Sequence, residues 1–272
     1  MVNITRFTRA SWNSTLGINK RRLSSSFQII SPTHEYVDTT HAPKDFDEQS
    51  AVVFADIITD EESDSLVNDV MKKMKRKRWE RGHWDAVISY YKETELDFPS
   101  ETKAHQIQVL SSLSMNIIER IRNHILRSSF AENRNISWLP VHAIHLHKEG
   151  ILSAHVDSVK FSGTVVCGLS LLSDCIMRLR PTCPSESPDL LDDKNDSPSK
   201  HVKSLDTDYV DLYLPRRSLY ILSGTCRYRY THEILSSGAS FRIRNKNEII
   251  VNRDDRISLI FRDSKVDKIN NT

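Results

Sequence analysis

Cysteine is scarce in this chain of 272 residues. There are four, Cys167, Cys175, Cys183 and Cys226, and no two form a CxxC pair. That argues against a disulfide-knit scaffold or a structural zinc site, and fits a reducing compartment. Long apolar runs are missing as well: none approaches the ~18 residues of a membrane-spanning helix, so no membrane span is expected. No internal repeat is visible. Acids are absent from residues 1–34, where Glu35 is still to come.

What is there reads as soluble and globular, with 38% hydrophobic and 27% charged residues and enough length to bury a sizeable core. The formal charge of +2 hides an asymmetry. Arg6, Arg9, Lys20, Arg21 and Arg22 stand in the acid-free start; without them 33 basic residues face 36 acidic ones, about −3 for the rest. A start rich in Arg, Ser and Thr, with scattered apolar residues and no unbroken apolar stretch, has the composition of a mitochondrial transit peptide. We assign residues 1–24 to it, with Arg21-Arg22-Leu23-Ser24-Ser25 as the processing site, and expect a linker over 25–50. The alternative is a disordered basic arm.

Residues 51–265 are expected to form one α+β domain. Ala51–Ile58 reads as a strand, and Thr59 or Asp60 as the cap of a helix over 60–77. That helix ends in the basic run Lys72–Arg78, a solvated face more readily than a nucleic-acid patch. A strand is expected over Ala86–Tyr91, and a second helix over 101–128 with Ile107, Leu110, Leu113, Ile117, Ile121 and Ile125 on one face. Beyond Trp138 come short β-branched and aromatic runs: 141–146, 164–172, 176–179, 209–214, 218–222, 228–235, 248–251 and 257–261. Helices followed by many strands suggest an antiparallel barrel or double sheet with N-terminal supporting helices. The proline-, serine- and acid-rich stretch 181–208 is expected as a flexible inserted loop.

His155-Val156-Asp157 carries the chemistry. In extended chain, residues two apart point to one side, so imidazole and carboxylate can converge on one ion. His232, on a later strand, can supply a third ligand. Two imidazoles and one carboxylate leave three positions open, the facial triad of non-haem Fe(II) oxygenases. An HxD pair alone also arises as a loop histidine beside a turn carboxylate. The signal is raised by Arg256-Ile257-Ser258-Leu259-Ile260-Phe261-Arg262, because a dianionic 2-oxo acid needs a cation that can grip its distal carboxylate. The offset of six keeps both arginines on one strand face, with Cα atoms roughly 20 Å apart, so either or both can touch the cosubstrate.

HxD, a distal His and Arg-x5-Arg resemble the AlkB branch of 2-oxoglutarate oxygenases. The closer resemblance is to its mitochondrial homologue subfamily, the seventh in animals. It is carried by His83-Trp84-Asp85-Ala86, Glu93-Thr94-Glu95, His155 to Phe161, Gly168 to Ser173, Met177-Arg178-Leu179, Ser218 to Gly224, Arg227-Tyr228, His232 to Leu235 and the arginine strand, together spanning about residues 50–262. The resemblance implies a double-stranded β-helix (jelly-roll) fold and Fe(II) ligands at His155, Asp157 and His232. It also implies 2-oxoglutarate contacts from Tyr220, Arg256 and Arg262. A mitochondrial matrix enzyme, expected monomeric, would then hydroxylate a protein or metabolite, with links to fatty-acid metabolism and programmed necrosis. The alternative is oxidative demethylation of methylated RNA or DNA bases.

Two departures stand out. Nucleic-acid-acting AlkB enzymes carry an Asn and a Tyr on the strand before HxD, and Val141–His147 offers neither; the 181–208 insert is also long for the subfamily. The bland readings assign His145 and His147, expected to precede a turn with no carboxylate near, to a structural or surface role. Trp84 and Asp85 could face the substrate, against a core Trp with a capping Asp; Tyr90 and Tyr91 could stack a base, against strand packing. Glu233 goes to sheet polarity or support of the neighbouring ligand rather than acid catalysis.

Overall fold

The computed structural model describes residues 30–82, 86–96, 110–128, 136–160, 162–182, 207–244 and 246–264. The N-terminal segment with its processing site, His83–Asp85 and most of the 181–208 insert lie outside the described residues.

Residues 34–50, expected to fall in a linker, belong to the fold. Strand β1 (Val37–Asp38) pairs antiparallel with Leu212 and Asp211 of a later strand. Tyr36, Ala42 and Phe46 pack against buried apolar residues. The polar composition hid these few anchors and the backbone bonds that hold the stretch, such as Thr33 N–H to Val53 O at 2.7 Å. Strand β2 (Ala51–Phe54) follows.

Helix α1 (Asp60–Met74) starts where the sequence predicts. Thr59 Oγ1 accepts from Glu62 N–H at 3.3 Å, and the Glu62 carboxylate accepts from Thr59 N–H at 2.9 Å, a reciprocal capping box. Strand β3 (Ile88–Leu96) lies further along the chain than expected. Helix α2 (Ser112–Arg127) is capped by Ser111, whose side chain accepts from Ser114 N–H. Leu110 and Ser111 are not helical, so one helix running from 101 to 128 is excluded there. Arg120 grips the Glu62 carboxylate with two hydrogen bonds of 2.6 Å, locking α2 onto α1.

The remaining elements are β4 (Val141–His155), β5 (Val166–Leu171), β6 (Cys175–Pro181), β7 (Val210–Leu214), β8 (Leu219–Leu222), helix α3 (Gly224–Arg229), β9 (Tyr230–Ile234), β10 (Ala239–Arg242), β11 (Glu248–Val251) and β12 (Arg256–Arg262). The main sheet runs β1-β7-β6-β9-β4-β12-β5-β8-β2, with β3 alongside β4, and the pairings are antiparallel. β10 and β11 form a separate hairpin. The path folds into two leaves, the double-stranded β-helix expected from the sequence.

β4 was expected as a short strand over 141–146 followed by a turn. It is one bent strand of 15 residues: its first half pairs with β12, while Leu152 and His155 pair with β9 of the other leaf. It therefore bridges the leaves. β12 shows why the site lies between them. Ile257, Leu259 and Phe261 are buried in a core shared with α1 and α2, whereas Arg256, Ser258, Ile260 and Arg262 line a cavity on the opposite face. α1 and α2 thus cover one face of the sheet around β12 and leave the other free for chemistry.

Candidate metal and cosubstrate site

The cavity between the leaves measures about 200 Å³. His155, Asp157 and His232 converge in it, with one potential ligand atom from each lying within 4.8 Å of the others. Strand register does most of this, since His155 of β4 sits directly opposite His232 of β9. Their rings are 4.2 Å apart between centroids, and His155 Nε2 lies 3.7 Å from Asp157 Oδ1. His155 Nδ1 is 2.8 Å from Ser153 O; the carbonyl can only accept, so Nδ1 is the donor there and Nε2 is the nitrogen left to face a metal.

Electrostatics favour the ligand-competent forms. Burial first, then the neighbouring His155, pushes His232 down to about 3 against the pull of Asp157, so the ring is neutral near pH 7. Burial pushes the Asp157 carboxyl up. His232, His155, Arg262 and Arg227 together outweigh it and hold the group below the ordinary carboxylate range.

The inner end of the cavity holds Arg256, 4% exposed. Its Nε donates to Ser170 Oγ at 3.2 Å and its Nη2 to Ser258 Oγ at 3.4 Å. No carboxylate lies within ion-pair distance of it among the described residues. A buried guanidinium without a counter-ion is costly unless an anion completes it, and a small dicarboxylate fits that requirement. Tyr220 is buried beside it; a side chain at Gly168 would stand only 2.3 Å from the Tyr220 ring, so glycine there lets the ring lie flat against β5. Arg262 stands at the outer end. Its Nη2 lies 3.4 Å from His142 Nδ1, and His142 Nε2 lies 3.0 Å from Glu93 Oε2. The two arginines thus occupy opposite ends of one wall.

Over 212 residues the chain is 33% identical to the Mus musculus protein named alpha-ketoglutarate-dependent dioxygenase alkB homolog 7, mitochondrial, covering 78% of this chain and 77% of that one. The Bos taurus protein of the same name is 32% identical over 216 residues, 79% of each chain. The chain belongs to the alkB-homologue family of alpha-ketoglutarate-dependent dioxygenases. As a family member it is an Fe(II)- and 2-oxoglutarate-dependent dioxygenase, and its donor set suits that metal. No family model matches the chain. A Trichoplax adhaerens prolyl hydroxylase, solved with a hypoxia-inducible-factor peptide, shares the fold at TM-score 0.50 and 9% identity, over 80% of this chain and 84% of that one.

Other expectations meet mixed outcomes. His145 does have a carboxylate partner, Asp255 at 3.1 Å, and it stands mid-strand rather than before a turn. Burial and ring contacts with Trp79 (4.9 Å) still make it a packing residue, and His147 packs against Tyr90 at 4.1 Å. Tyr91 is buried with its hydroxyl on Glu80 at 3.0 Å. Glu233 pairs with Arg180 at 3.4 Å, on the strand face away from His232. Trp84 and Asp85 lie outside the described residues. Sequence reasoning gave no role to His142, Ser170, Ser258 or Arg227. Alternation along β12 marks Ser258; Arg227 stood in the sequence only as part of the Arg227-Tyr228 match, with no role attached.

Proposed function

We propose that His155, Asp157 and His232 hold the iron, and that Arg256 with Tyr220 binds the distal carboxylate of 2-oxoglutarate, Arg262 standing at the mouth. The enzyme then hydroxylates an aliphatic C–H group of a protein or metabolite in the mitochondrial matrix. The observation that carries this reading is the convergence of the three ligands in the same cavity as a buried arginine lacking a counter-ion.

With iron bound, O₂ converts 2-oxoglutarate to succinate and CO₂ while a substrate C–H gains a hydroxyl. The protein's share is placement. Ser153 O fixes the His155 tautomer, Ser170 and Ser258 aim Arg256 inward, and burial keeps water from the inner end. At the mouth Ile88, Ile144, Leu152 and Ile260 offer apolar surface to an alkyl group. The homologues' names support a mitochondrial address. On the family resemblance we place the output in fatty-acid metabolism and programmed necrosis, with a monomer as the working unit.

One observation favours oxidative demethylation of an RNA or DNA base: Lys75, Arg76, Lys77, Arg78 and Arg81 are exposed beyond α1. Against it, the only aromatic rings lining the cavity among the described residues are Tyr220 and the histidines, and Tyr220 is at the buried end, so a flipped base has little to stack on. The test measures succinate release with the full protein against methylated oligonucleotides and against matrix extract, alongside Mn(II) binding. We expect turnover with the extract, and His155→Ala, Asp157→Ala and His232→Ala to lose metal and uncoupled succinate formation. Full metal occupancy in the Asp157 and His232 variants would sink the ligand assignment. Turnover confined to the oligonucleotides would move the substrate to nucleic acid.

A further inference from the structure

Asp157 lies two residues beyond the end of β4, where no ladder hydrogen bond holds it. Its position depends on the loop that it begins. Three carbonyls of that loop face one side chain: Arg227 Nη1 donates to Asp157 O at 2.9 Å, and Nη2 donates to Ser158 O and Ser162 O, both at 3.2 Å. The neighbouring Tyr228 hydroxyl donates to Gly163 O at 3.2 Å. Past it, the Asp263 carboxylate accepts from Thr164 N–H and Val165 N–H at 2.9 Å each. The described part of the loop is therefore tied from Asp157 to the start of β5.

Arg227 is 2% exposed. No carboxylate lies within ion-pair distance of it among the described residues, so a buried cation is spent on main-chain oxygens. That is an expensive arrangement for a loop with no special duty. A planar fork of donors suits the task, because it reaches several carbonyls at once with little rotamer freedom to lose. The side chain's own base is fixed too: Ser223 N–H, at the start of α3, donates to Ser50 O at 2.8 Å, and Ser50 Oγ donates to Cys226 Sγ at 2.9 Å. Arg227 also stands only five residues before His232, on the same α3–β9 run. One short segment thus presents a histidine to the cavity and holds the main chain of the carboxylate opposite.

We propose that Arg227 is a positioning residue for the metal site, a yoke that couples the Asp157 loop to the strand carrying His232. This rests on the triad being the metal site. Loss of its donors frees Asp157 without removing any ligand, so the metal should bind more weakly and in an altered geometry while the fold persists.

The test uses the full-length protein and four variants: Arg227→Met (similar length, no donors), Arg227→Lys, Tyr228→Phe and Asp157→Ala. Mn(II) affinity is read by electron paramagnetic resonance, site geometry by the d–d absorption of bound Co(II), and folding by thermal melting. Arg227→Met should stay folded yet bind Mn(II) roughly ten- to a hundredfold more weakly, with shifted Co(II) bands. Arg227→Lys should fall between it and wild type, and Tyr228→Phe should show a smaller change of the same kind. A purely structural arginine would lower the melting temperature and leave Mn(II) affinity and the Co(II) spectrum as in wild type, which overturns the proposal. Should Arg227→Met not fold, the lysine and Tyr228→Phe variants decide: shifted Co(II) bands in either uphold it, wild-type bands in both overturn it. Asp157→Ala separates the two layers. Wild-type metal affinity in that variant overturns the triad itself, whereas its loss beside an unchanged Arg227→Met overturns only the yoke.

Discussion

Arg256 is the residue on which the cosubstrate reading turns. Its Nε and Nη2 donate to serine hydroxyls, neutral groups that orient the guanidinium but leave its charge for an incoming anion. Arg256→Leu should leave Mn(II) binding nearly unchanged and weaken 2-oxoglutarate strongly. A charge-assisted hydrogen bond is worth about 1.5–3 kcal/mol, a bidentate one near the upper end, so the loss should run from roughly tenfold to over a hundredfold. Arg262→Leu should cost less, because that side chain stands at the other end of the wall beside His142. Titration of 2-oxoglutarate into the Mn(II)-loaded variants measures both, and equal affinity in wild type and Arg256→Leu would remove the clamp. At this scale much of the site was legible. His155, Asp157, His232, Tyr220, Arg256 and Arg262 all line one cavity, as spacing and resemblance suggested. Ser170 and His142 were not legible, because they act through contacts between strands that are remote in sequence.

Among the elements, β4 was misread for a physical reason. His145 to Gly150 is polar enough to pass for a turn, yet Arg253, 7% exposed, donates to His147 O (2.9 Å), Lys148 O (3.0 Å) and Gly150 O (2.7 Å), which holds the bend within the strand. α3 was missed because six residues carry too little periodicity to show. Helix α2 yields a pH prediction. His124 packs edge-on against Phe54 at 4.7 Å, and burial lowers its pKa below the ordinary 6.5. The folded state thus keeps this ring neutral at a pH where the unfolded chain takes up a proton. Its contribution is present above about pH 6.5 and is lost as pH falls through the window below that value. His145 acts in the same direction, burial outweighing the opposing Asp255. His124→Leu should therefore lose less melting temperature than wild type on going from about pH 7.5 to about pH 5.5. Parallel melting curves for the two proteins would show that His124 is protonated as readily in the fold as outside it.

For the whole molecule, the division of charge suggests a division of labour. Five cations and no acid stand in residues 1–34, and the rest of the chain is net acidic by about three. The described fold takes up the chain at Ile30, which packs against the helix-side core, and is anchored from Thr33 onward by backbone bonds to β2. Among the described residues the cavity lining runs from Ile88 to Arg262. Removing residues 1–24 should accordingly leave the melting temperature, Mn(II) affinity and succinate formation as in the full chain. The import machinery reads a basic, acid-poor, amphipathic start, so the same truncation should strand the protein in the cytosol. Fractionation of cells expressing both forms tests the two halves separately. A truncated protein that still enters mitochondria would place the address elsewhere in the chain, and one that reaches the cytosol but loses metal affinity would mean that the first 24 residues support the site.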